Sequence, residues 1–113
     1  MTPVIRPRAH DDIIRQFRWY LVEQDASDAA FRFLDAVEGS IKLLMLTPRA
    51  GAPREIKNSV LKGLRCWPVK GFEEFPIFYL VQGEMLRVVR VLHSQRDLNR
   101  ILKKESADED TLH

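Results

Sequence analysis

The chain has 113 residues, with 18 Lys plus Arg against 16 Asp plus Glu, 45% hydrophobic and 30% charged. This length fits one domain, and the composition is too apolar for a disordered chain. A single cysteine forms no internal disulfide, which suits a reducing cytoplasm. The uncharged apolar run from Phe75 to Val81 is far short of the roughly 20 residues a membrane span needs, and the N-terminus lacks the apolar stretch of a signal peptide. The net charge of +2 hides an asymmetry. Residues 105–113 hold four acidic residues and no Lys or Arg, so the first 104 residues carry +6. Twelve of the 18 basic residues are arginine, whose planar fork suits carboxylates and phosphates, so an anionic partner is one reading and a solvated basic surface the other.

Val4-Ile5, between Pro3 and Pro7, reads as a small edge strand. A helix follows from about Arg8 to Gln24, with Ile13, Ile14, Phe17, Tyr20 and Leu21 on one stripe and Asp11 and Asp12 complementing its positive end. Trp19 lies off the stripe, with core packing its expected fate. Asp25 to Asp28 breaks the pattern, and Ser27 is placed to cap a second helix running to about Leu46. Its apolar positions are Ala30, Phe33, Leu34, Val37, Ile41 and Leu44, and Gly39 suggests close packing. The short link makes the two helices an antiparallel hairpin.

Pro48, Gly51 and Pro53 punctuate a loop. Beyond it, Val60 to Val69, Phe75 to Gln82 and Met85 to His93 read as three sequential antiparallel strands, the last two joined at Gln82-Gly83-Glu84. A regular last strand turns Val88, Arg90 and Leu92 to one side and Val89, Val91 and His93 to the other. A final helix covers about Gln95 to Lys104, with Ser94 and Asp97 forming a capping box, and Arg96 solvated or ion-paired beside them. Residues 1–104 thus form one domain and 105–113 an acidic, disordered tail. The expected fold is α+β: a small, mostly antiparallel sheet on an N-terminal α-helical hairpin, in the order β-α-α-β-β-β-α. One sheet face is covered by the hairpin; the other stays partly open and rimmed with arginines.

Four segments carry a family resemblance. Arg90-Val91-Leu92-His93-Ser94-Gln95-Arg96-Asp97 is similar to the "RVLHGxRD" that ends the last strand of ParE-type toxins. Gly63 to Val69 resembles their "GLRxxPV", Phe75 to Tyr79 their "YxIFY", and Pro48 to Pro53 their "PxxGxP". Ser94 in place of Gly and Phe75 in place of Tyr are mild departures. The chain therefore resembles the ParE/RelE superfamily of type II toxin–antitoxin toxins over about residues 4–103, and the ParE type most.

The resemblance implies a RelE/ParE-like fold and a cytoplasmic, growth-arresting toxin, associated with plasmid stabilization and neutralised by a ParD-like antitoxin. ParE-type members are associated with inhibition of DNA gyrase. The alternative is a RelE-type, metal-independent endonuclease that cuts mRNA on the ribosome. That chemistry needs cations at the phosphate with a general acid and base, and its candidates here are Arg65, Tyr79, Arg90 and His93. Arg65, Arg90 and Arg96 are the candidates for target or anion binding; Arg65 and Arg90 read equally as partners of a carboxylate or a backbone carbonyl. Two features favour the gyrase reading. No Phe, Tyr or Trp follows Tyr79 to stack on a base, and Arg90 and His93 fall on opposite strand faces. His10, His93 and His113 are too scattered for a zinc site, Cys66 reads as a small hydrophobe, and no cofactor or metal is expected. Direct nucleic-acid binding stays open.

Overall fold

The computed structural model describes residues 1–93 and 98–105. Strand β1 (Thr2–Ile5) leads through Arg6 into helix α1 (Pro7–Arg18). Pro7 occupies the first helical turn, where its missing N–H costs nothing and its fixed φ helps. The helix then widens into a π-helical turn (Trp19–Glu23), ended by Asp25 at φ 47°. Helix α2 (Ser27–Leu46) starts one residue after Ala26, so Ser27 is its first residue and makes no capping bond.

Five strands form one sheet in the order β1-β5-β4-β3-β2. They are β2 (Ala52–Pro53), β3 (Arg65–Val69), β4 (Phe72–Gln82) and β5 (Met85–Val91), with β1 on the far edge. β1 runs parallel to β5 and every other pairing is antiparallel. Short helix α3 (Leu98–Lys103) follows. This is the α+β arrangement expected from sequence, with a two-residue edge strand added inside the proline-rich loop.

The strand expected from Val60 begins only at Arg65. Asn58 Oδ1 accepts from Val60 N at 3.1 Å and starts a 3₁₀ turn at Ser59–Leu61, and Gly63 at φ 88° reverses the chain before the strand. β4 starts three residues earlier than expected, because the turn tightens onto Lys70-Gly71, with Gly71 at φ 84°.

Ala9 and Ile13 of α1, with Phe33, Val37, Ile41 and Leu44 of α2, pack on Val69, Ile77, Tyr79, Leu86, Val88 and Val91. Leu34 is only half-buried at the margin of this layer, and Ile14 and Leu21 are exposed. Gly39 faces open space: a Cβ there meets nothing within 4 Å, so close packing is not its role.

The opposite face is not open. Leu61, Leu64, Phe78, Leu80, Val89, Leu92, Leu98 and Leu102 form a second buried layer there. The loop before β3 and helix α3 supply its outer half, which single-strand periodicity does not reveal.

Candidate functional site

The four nuclease candidates fall into two pairs. Arg65 and Tyr79 are cross-strand neighbours on β3 and β4. Tyr79 is fully buried; its Oη donates to the Pro48 carbonyl at 2.7 Å and accepts from Gly51 N at 2.9 Å. Arg65 Nη1 donates to the carbonyls of Gly51 at 2.7 Å and Arg49 at 3.1 Å. Both side chains thus hold the Pro48–Pro53 loop against the sheet. Gly51 is required there, since a Cβ would sit 2.5 Å from Tyr79 Oη. Burial pushes the Tyr79 phenol above its ordinary value. A phenol sealed under a loop and raised in this way is poorly placed for proton transfer at neutral pH.

Arg90 is likewise committed within the fold. Its Nε and Nη2 donate to Asp12 Oδ2 and Oδ1 at 2.7 and 2.9 Å, a bidentate pair. Its Nη1 donates to Glu105 Oε1 at 2.6 Å. Asp12 also accepts from Val91 N at 3.0 Å and, at 3.3 Å, from Arg15 Nη1. The two carboxylates drive the guanidinium pKa upward against the desolvation that opposes them. Asp12, expected to serve the helix dipole, instead joins α1 to β5. It lies three residues after buried Ala9 and next to buried Ile13, so its place on the inward face is the sequence signal that was available. Glu105, assigned to the tail, is 4% exposed and belongs to the fold.

The alternation expected on β5 fails at a β-bulge. Phe78 pairs with Arg90 and Tyr79 with Val88, so Val89 is the extra residue. Val88 and Val91 therefore share the hairpin-facing core, while Val89 and Leu92 share the opposite layer. β5 ends at Val91, so its alternation does not reach His93, and Arg90 and His93 both line a cleft of about 120 Å³ with Asp12, Arg15, Gln16 and Phe75. His93 meets the Phe75 ring edge-on, with centroids 5.1 Å apart. Arg65 and Tyr79 do not line this cleft, so the four candidates do not converge on one hollow. The adjoining hollow of about 370 Å³ is lined by Arg15, Gln16, Trp19, Glu74, Phe75 and His93. Trp19, expected in the core, is 43% exposed, in keeping with its place off the apolar stripe of the helix.

A larger hollow of about 640 Å³ lies along Pro53–Gly63, with Arg54, Lys57 and Lys62 on its walls beside Glu55. Cys66 is half-buried; burial pushes its thiol up, partly opposed by nearby Arg54. Arg54 also lies over the Phe78 ring, 5.9 Å from its centroid. Ser94, Arg96 and Asp97, and with them the proposed capping box and the third anion-binding candidate, lie outside the described residues, as does His113. Among the described residues no group of three His, Cys, Asp or Glu is placed to hold a metal, and no helix is long and apolar enough to cross a membrane.

A sequence model of the ParE toxin of the type II toxin–antitoxin system parDE matches residues 4–98. Among solved structures, a chain from the chromosomal ParDE system of P. aeruginosa superposes with a TM-score of 0.61, covering 82% of this chain and 95% of that one at 19% identity. That likeness concerns the fold. No curated protein matches the chain in sequence.

Proposed function

Because the chain belongs to the ParE toxins of type II toxin–antitoxin systems, we propose that it arrests growth by binding DNA gyrase, without cutting RNA, and that a ParD-like antitoxin neutralises it in the bacterial cytoplasm. The observation that carries this reading is the engagement of three of the four nuclease candidates within the fold. Arg65 holds two carbonyls, Tyr79 is sealed beneath Gly51, and Arg90 is clamped by two carboxylates. A ribonuclease needs cations and proton donors that reach a phosphate. Inhibition by binding uses the outer surface of a folded body and needs no such convergence.

One observation favours the alternative: Arg90 and His93 border the same cleft. The test is therefore paired. Purified toxin is assayed for inhibition of gyrase supercoiling and for cleavage of mRNA on translating ribosomes. Gyrase-dependent DNA breaks with intact mRNA are expected. Codon-positioned mRNA cuts that vanish in His93→Gln, with gyrase unaffected, refute the proposal and promote the nuclease.

A further inference from the structure

Three arginines converge on one carboxylate. Arg90 Nη1 lies 2.6 Å and Arg8 Nη1 3.9 Å from Glu105 Oε1, and Arg6 Nη1 lies 3.9 Å from Oε2. Arg6 sits at the β1–α1 junction and is almost wholly buried, Arg8 is in α1 and Arg90 in β5. All three stand on elements anchored by the main core. The carboxylate reaches them by another route. Glu105 arrives at the end of α3, a six-residue helix too short to be stable by itself. That helix is attached through Leu98 and Leu102 in the second apolar layer. Asn58 Nδ2 adds bonds to the carbonyls of Leu102, Lys103 and Glu105 at 2.9, 3.2 and 3.1 Å. The receptor is thus fixed and its ligand is carried on a short peripheral segment.

We propose that Arg6, Arg8 and Arg90 form an anion site that the chain fills in cis with Glu105, and that an acidic side chain of a peptide partner competes for it. Asp12 grips the far edge of Arg90, so the guanidinium keeps its orientation whichever carboxylate occupies the near edge. Arg8 provides the side of entry, because its side chain is 55% exposed where those of Arg6 and Glu105 are buried. The +6 charge of the first 104 residues draws an acidic segment towards the body. Displacing Glu105 also releases an anchor of α3, which couples occupancy of the site to the cover of the second apolar layer. The identity of the partner as the antitoxin rests on the preceding reading; the anion site does not.

The experiment uses the full chain, wild type and Glu105→Ala, with two probes. The first is sodium sulfate against sodium chloride at equal ionic strength, read by urea unfolding. Sulfate stabilises proteins generally, so the wild-type increment is the control. At sulfate ten times its dissociation constant, the unfolding constant of Glu105→Ala is expected to fall about tenfold more than that of the wild type. The second probe is a capped tetraglutamate peptide, titrated calorimetrically. It is expected to bind Glu105→Ala at least about tenfold more tightly than wild type, because the cis competitor is gone. Equal sulfate increments overturn the anion site, and equal peptide affinities overturn the competition. If Glu105→Ala does not fold, Glu105→Gln keeps the shape without the charge and carries both measurements. Neither readout involves gyrase or an antitoxin, so the proposed function and this inference can fail separately.

Discussion

Asp12→Ala tests the idea that Arg90 is a structural clamp. The substitution removes both oxygens of a bidentate pair at 2.7 and 2.9 Å and the acceptor of the Val91 amide at 3.0 Å. Arg90 keeps Glu105, so its charge is not left alone. Removing one partner of a buried ion pair costs about 3–5 kcal/mol, and the remaining Glu105 contact places Asp12→Ala towards the lower end. Against a total of about 5–15 kcal/mol for a domain, that is a large fraction. Asp12→Asn retains one acceptor oxygen and is expected to lose about 1–3 kcal/mol. Arg15→Ala is the contrast. Its contact to Asp12 is 3.3 Å from a side chain 71% exposed, so it is expected to cost under about 1 kcal/mol. Urea unfolding followed by far-UV circular dichroism at pH 7 measures all three. A loss below about 1 kcal/mol for Asp12→Ala would refute the reasoning: Glu105 and water would then satisfy Arg90, and the α1–β5 tie would not be structural.

Phe33→Ala, at a fully buried aromatic that meets Tyr20, Phe72 and Phe75, is expected to cost about 3–5 kcal/mol by the same assay. Leu34→Ala costs less, since Leu34 is only half-buried. Tyr79→Phe leaves the Gly51 amide and the Pro48 carbonyl without their partner and is expected to lose about 2–4 kcal/mol; an unchanged midpoint would contradict the role of the hydroxyl. His93→Gln is expected to keep toxicity on expression within about tenfold, whereas loss of a general acid or base lowers rate about 10²–10⁴-fold. Cys66 has a raised thiol pKa, so the folded form is favoured below the ordinary value of 9.0 and that stability is lost as pH rises through the raised one. Iodoacetamide at pH 8 is accordingly expected to react more slowly with the native chain than with the urea-unfolded chain, and equal rates would contradict the burial.

The helical hairpin and the last two strands were legible because their signals are local. Phe33, Val37, Ile41 and Leu44 recur at the helical period, and Gly83 at φ 59° supplies the turn that Gln82-Gly83-Glu84 announces. The ParE-like segments from Pro48 to Asp97 likewise pointed to the family from sequence alone. Where each charged side chain goes was not legible, because a partner 78 residues away leaves no periodic trace. Asp12 looked like a helix-terminus charge until α1 was laid on β5, where Arg90 waits. Arg65 and Tyr79 looked like a reactive pair until the Pro48–Pro53 loop closed over them. The shared cleft of Arg90 and His93 turned on where β5 ends: the strand stops at Val91, so its alternation does not reach His93. Glu105 lay in an acidic run that reads as solvated tail, and only the meeting of Arg6, Arg8 and Arg90 makes its burial favourable. Local propensity and hydrophobic period are properties of neighbouring residues; the pairing of buried charges belongs to elements distant in the chain, and only their packing brings it about.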